Sequence, residues 1–179
     1  ALQKIDDAID AYRLTLSTLS PIREDLASGR RDVQSSYRQV VEPIFLGLTN
    51  LLLDKASKSV DEAARQRYLS EARDTVEFLK AAELQDYFQD DCVANFRSKI
   101  QSIELQLDDQ TAVLYPILLA DRIEILLTVQ GRIKQFVAPV SPLQVIRTVR
   151  GYRTFLQNPS EEEGYLLAAQ ELYNWLIDP

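Results

Sequence analysis

Apolar residues recur every three or four positions through the first 110 residues, and that spacing predicts amphipathic helices. Ile5, Ile9, Tyr12, Leu16 and Leu19 form the first stripe, with Asp6, Asp7, Asp10 and Arg13 on the other side. Ser20-Pro21 reads as the cap and first turn of a shorter helical piece reaching Leu26, and residues 28–32 read as a polar loop. A second helix is predicted from Ser36 to Lys55, its stripe built of Tyr37, Val41, Ile44, Leu48 and Leu51 and broadened by Phe45 and Leu52. Pro43 predicts a kink or a break inside it. Ser59 with Glu62 has the spacing of a capping box for a third helix, Val60 to Ala82, whose inward face is Tyr68, Ala72, Val76 and Leu79. Helical pattern continues from Leu84 to Phe88, and a short helix is expected near 94–101.

The period changes at Thr111. From there to Pro139 the chain reads TAVLYPILLADRIEILLTVQGRIKQFVAP, three apolar-rich runs separated by Ala120-Asp121 and Gln130-Gly131. Runs of seven or so residues with such breaks predict three short antiparallel strands. In the middle run Ile123, Ile125, Leu127 and Val129 share one face, expected to be inward. Glu124 and Thr128 lie on the other with Leu126, and Glu124 is expected at the surface. Val113, Leu114, Ile117, Leu118 and Leu119 make the first strand too apolar for one wet face, so both its faces are expected to be covered. Ser141-Pro142 then opens a helix with Val145, Ile146, Val149, Tyr152 and Leu156 inward, ended by Asn158-Pro159. Ser160 with Glu163 caps a last helix carrying Leu166, Leu167, Ala169, Leu172, Tyr173 and Leu176. The fold class is mainly α with a small antiparallel β-meander: a helical region over 1–110, then strands and two helices over 111–179.

Composition narrows the chemistry. The chain of 179 residues carries a formal net charge of -7 and no histidine, no methionine and one cysteine, Cys92. With no histidine there is no Ser-His-Asp triad, Cys-His dyad, histidine metal site or histidine pH switch. One cysteine forms no internal disulfide, and a reducing cytoplasm is the economical setting. A pI near 4.7 argues against a broad phosphate-binding surface, so no nucleic-acid partner is expected. No apolar run reaches the roughly 20 residues that span a bilayer, and no membrane partner is expected. The lack of an initiator methionine and the stop at residues 175–179 read as a segment of a longer chain.

Four sets of side chains are candidates for function. Cys92 lies between Asp91 and Val93 with no base beside it, which suits a structural thiol better than a nucleophile. Asp86, Asp90 and Asp91 could hold a cation, but no calcium-loop spacing accompanies them, and a solvated acidic face accounts for them. Arg147, Arg150 and Arg153 recur every third residue, a row able to bind carboxylate or phosphate or simply to form a solvated face. Tyr37, Tyr68, Tyr87 and Phe88 fit core positions better than a ligand pocket. No catalytic residue, cofactor or metal site is assigned.

A family resemblance rests on two blocks, EARDTVEFLKAAELQDYFQDDCV over 71–93 and TAVLYPILLADRIEILL over 111–127, followed by the Val-Ser-Pro helix and the closing LLAAQELYNWLIDP. Together they resemble the front half of a CHAT domain, a caspase-like peptidase domain abundant in cyanobacteria, and its preceding repeats. Ala8, Tyr12 and Pro21 resemble the second helix of a tetratricopeptide repeat, with the proline one place late. The resemblance implies 1–110 as a tetratricopeptide-like region and 111–179 as the start of the caspase-like domain. In that family the catalytic histidine and cysteine lie further along, so no position here matches them. The function so implied is a non-catalytic, regulatory part that binds a protein partner or the peptidase half; the alternative is a plain helical scaffold. Val113 and Leu118 in the apolar first strand, with the arginine row, are the expected interaction surface, and a two-fold homodimer through the strand region is expected.

Overall fold

The computed structural model describes residues 2–27, 31–88, 110–157 and 164–179, with side chains described over 4–19, 41–81, 110–157 and 164–179. The chain is mainly α-helical with one three-stranded antiparallel sheet, and it divides into two compact units, Ala1–Asp109 and Gln110–Pro179.

Among the described residues the first unit holds three long helices, α1 (Leu2–Ala27), α2 (Arg31–Lys58) and α3 (Glu62–Phe88). The helix α1 does not stop at Ser20. A proline forfeits one amide bond and crowds one turn, and the helix accommodates both, so the separate piece expected after Pro21 is the tail of α1. Pro43 likewise lies within an unbroken α2. Val41, Phe45, Leu48, Leu52 and Ala56 follow each other at four- and three-residue steps and are buried, with Leu53 and Thr49 beside them. The α3 face turned to them carries Leu69, Ala72 and Val76. Tyr68 and Leu79, expected inward, are half-buried, and Leu69 takes the central place. The residue capping α3 is Asp61: its carboxylate accepts from Ala63 N at 3.1 Å and Ala64 N at 3.3 Å, while Ser59 Oγ donates to the Asp61 carbonyl. A carboxylate so placed satisfies two free amides and suits the positive end of the helix dipole, so it displaces the expected Ser59–Glu62 box.

At Gly47 the Tyr12 ring of α1 meets α2 closely. A Cβ there would lie 2.7 Å from the Tyr12 hydroxyl oxygen, so glycine lets the ring rest on the α2 backbone. Lys55 pairs with Asp6 and lies 4.8 Å over the Tyr68 ring, a second tie within the unit.

In the second unit β1 (Ala112–Leu118), β2 (Ile123–Val129) and β3 (Arg132–Ala138) form a meander in the order β1-β2-β3. The register pairs Leu114 with Leu127 and Ile125 with Phe136. Gln130 and Gly131 both have positive φ, 49° and 72°, the backbone of a type I′ turn, whose twist matches that of the paired strands. Two helices follow, α4 (Pro142–Gln157) and α5 (Gly164–Leu176). Ser141 caps α4 through its hydroxyl, which accepts from Gln144 N at 3.3 Å, with Pro142 in the first turn. Ile123, Ile125, Ala138, Val140 and Val145 make the core, with Trp175 and Leu176 packed against it.

Three expectations change here. Glu124 is 2% exposed, so β2 is buried on both faces. The first strand alternates: Tyr115, Ile117 and Leu119 are buried, while Leu114 and Leu118 each keep more than a third of their surface, so cover on that side is partial. Of the residues expected inward on α4 only Val145 is buried; Ile146, Val149 and Leu156 are exposed, as are Leu166, Leu167 and Tyr173 on α5.

Candidate functional site

A groove of about 590 Å³ lies between α1 and α3 of the first unit, with α2 beneath. Helix periodicity builds it. On α3, Arg67, Ser70, Glu71, Asp74, Thr75 and Phe78 fall at three- and four-residue steps and therefore share one face. Leu16 and Ser17 contribute from α1 and Phe45 from α2. Phe45 and Phe78 stack with ring centroids 5.4 Å apart and planes at 19°, giving the groove an aromatic floor.

Its rim is charged and ordered. Arg13 grips Glu71 with both prongs, Nε to Oε1 and Nη2 to Oε2, each at 2.7 Å, and also donates to Asp10 at 2.9 Å. Hydrogen bonding to the Glu71 carboxylate, the larger effect, raises the Arg13 pKa against the opposing effect of burial. This fork joins α1 to α3 one turn before Leu16 and Ser17. Arg73, mostly buried, donates to Asp74 at 2.8 and 3.0 Å and to Ser70 Oγ at 3.2 Å. Thr75 Oγ1 donates to the Glu71 carbonyl at 2.7 Å. Arg67 is exposed and makes no ion pair among the described residues. Nothing here pairs a nucleophile with a base; the arrangement suits binding of an apolar ridge between charged walls.

In the second unit the three arginines of the expected surface stand on α4, all exposed. Val113 is half-buried in β1 and Leu118 is 37% exposed at its end; their odd and even positions put them on opposite faces, so they do not form one patch. Cys92, Asp90, Asp91, the helix near 94–101 and the Ser160–Glu163 cap lie outside the described residues, as does the Asp86 side chain. Among the described residues no group of three His, Cys, Asp or Glu could hold a metal ion, and no helix is long and apolar enough to cross a membrane.

One polar cluster escaped sequence reasoning. Glu124 Oε1 accepts from Arg122 Nε at 2.7 Å and Oε2 accepts from Gln135 Nε2 at 3.0 Å; Arg122 also pairs with Asp121 at 3.0 Å. Arg122 and Glu124 are two apart and so share a face, and Gln135 reaches in from the neighbouring strand, diagonal to Glu124. The signal available was the Asp-Arg-x-Glu spacing. The groove gave no such signal, because it forms only where three helices meet. No family model, no curated protein and no solved structure matches the chain.

Proposed function

We propose that this chain is a non-catalytic protein-interaction module whose helical unit receives a partner's apolar ridge in the α1–α3 groove. The observation that carries this reading is the groove itself: an aromatic floor, a volume inside the roughly 300 to 1,000 Å³ typical of binding pockets, and walls tied to each other by the Arg13–Glu71 fork. By its strand block the module is the regulatory front part of a CHAT-type caspase-like peptidase, passing a binding event to a catalytic half.

A second reading, a helical scaffold with no peptidase attached, draws on helix length. A tetratricopeptide repeat fits two helices into about 34 residues. Here single helices run 26, 28 and 27 residues, so one pair exceeds a whole repeat.

Peptide display against the full chain, followed by calorimetry, tests the shared claim. Ser17 is exposed on the groove wall, so Ser17→Trp fills the groove without entering the core. Selected peptides should lose about tenfold or more in affinity for this variant. Peptides that bind it as well as the unaltered chain, or authentic turnover of peptide substrates, would defeat the proposal.

A further inference from the structure

The helix α4 has two apolar arcs where packing explains one. At 100° per residue Val145, Thr148, Tyr152 and Phe155 fall within one narrow sector, and each is buried or half-buried. Leu156, Val149, Ile146 and Leu143 continue around the helix from the edge of that sector, and these four are between 39% and 76% exposed. Arg153, Arg150 and Arg147 interleave with them on the same open side. None of the three guanidinium groups makes a hydrogen bond or ion pair among the described residues. The helix contains no acidic residue, so it is a cationic and apolar strip on a chain of net charge -7.

We infer that this strip is a docking surface for an acidic amphipathic helix of a protein partner. Charge complementarity sets the sign. Arginines at every third position match carboxylates three or four apart on a facing helix, and a guanidinium binds a carboxylate through two parallel bonds. The exposed Ile146, Val149 and Leu156 supply the apolar ridge that a partner's leucine or isoleucine row covers. An anionic bilayer is the weaker match. Each arginine near such a surface contributes about 1 kcal/mol, and the remaining charge of this acidic chain is repelled by the same surface. The strip also offers no exposed tryptophan or phenylalanine to seat in the headgroup layer. This inference rests on the interaction-module reading but on a different surface, and Ser17→Trp should leave it untouched.

The test uses the full chain and synthetic peptides of about 15 to 20 residues, long enough to form helix on a surface. One peptide carries a leucine stripe flanked by glutamates, the second replaces every glutamate by lysine, and the third breaks the acidic helix with a central proline. Fluorescence anisotropy should show binding of the first alone, weakening as salt rises from 50 to 500 mM through screening. Arg150→Glu should weaken it about tenfold, and the triple Arg147→Glu, Arg150→Glu, Arg153→Glu variant should switch preference to the lysine peptide. Circular dichroism confirms that each variant is folded. Equal binding of acidic and basic peptides, indifference to Arg150→Glu, or uptake by phosphatidylserine vesicles without peptide binding would overturn the inference.

Discussion

Replacing Glu124 by alanine should unfold the second unit more readily than its place in the pattern implies. The carboxylate is 2% exposed and accepts from Arg122 at 2.7 Å and Gln135 at 3.0 Å. A hydrogen bond to a charged group contributes about 1.5 to 3 kcal/mol, and breaking a buried ion pair from one side costs about 3 to 5. Arg122 tempers that figure, because its side chain keeps 18% of its surface and the Asp121 carboxylate at 3.0 Å. We expect a loss of about 2 to 3 kcal/mol, which for a unit the size of Gln110–Pro179 lowers the melting temperature by roughly 8 to 24 °C. Urea titration of the full chain, followed through circular dichroism, measures the loss. Methionine at both Arg122 and Glu124 should recover most of it, since apolar replacement of a whole buried pair is often neutral or better. A loss under about 0.5 kcal/mol, the size of a surface change, would refute the buried-cluster account.

Ile125→Asp should cost about 3 kcal/mol or more in the same titration, because it buries an unpaired charge in the sheet core. Gly47→Val should cost about 1 to 2 kcal/mol by driving a side chain into the Tyr12 ring, whereas Gly151→Ala, with open space around it, should gain about 0.5 to 1 kcal/mol. Asp61→Ala should cost about 1 kcal/mol and Ser59→Ala less, a ranking that thermal melts can check. Sedimentation at micromolar concentration should find a dimer that Leu118→Lys weakens; a monomer, or a dimer indifferent to the change, would remove the strand region as its interface.

What the chain's pattern determined by itself is the sequence of elements. Among the described residues, periodicity of 3.6 and then 2 separates three helices, three strands and two helices, and Gln130-Gly131 falls at the tight turn between two of the strands; the short helix expected near 94–101 lies outside them. These are local properties, set by backbone geometry and the alternation of apolar side chains. Local rules failed where two preferences competed within one segment: Asp61 against Ser59 for the cap, and continuous helix against a stop at Pro21. Tertiary structure alone decided which apolar stripes are covered. Ile146 and Val149 match Val145 in hydrophobicity, yet only Val145 meets the sheet, because a straight helix touches a sheet along one line. The same holds for Glu124, whose charge predicts exposure until Arg122 and Gln135 arrive across the register to satisfy it. The groove belongs wholly to that level: Leu16, Phe45 and Phe78 are far apart in the chain, and only the packing of three helices makes them one surface.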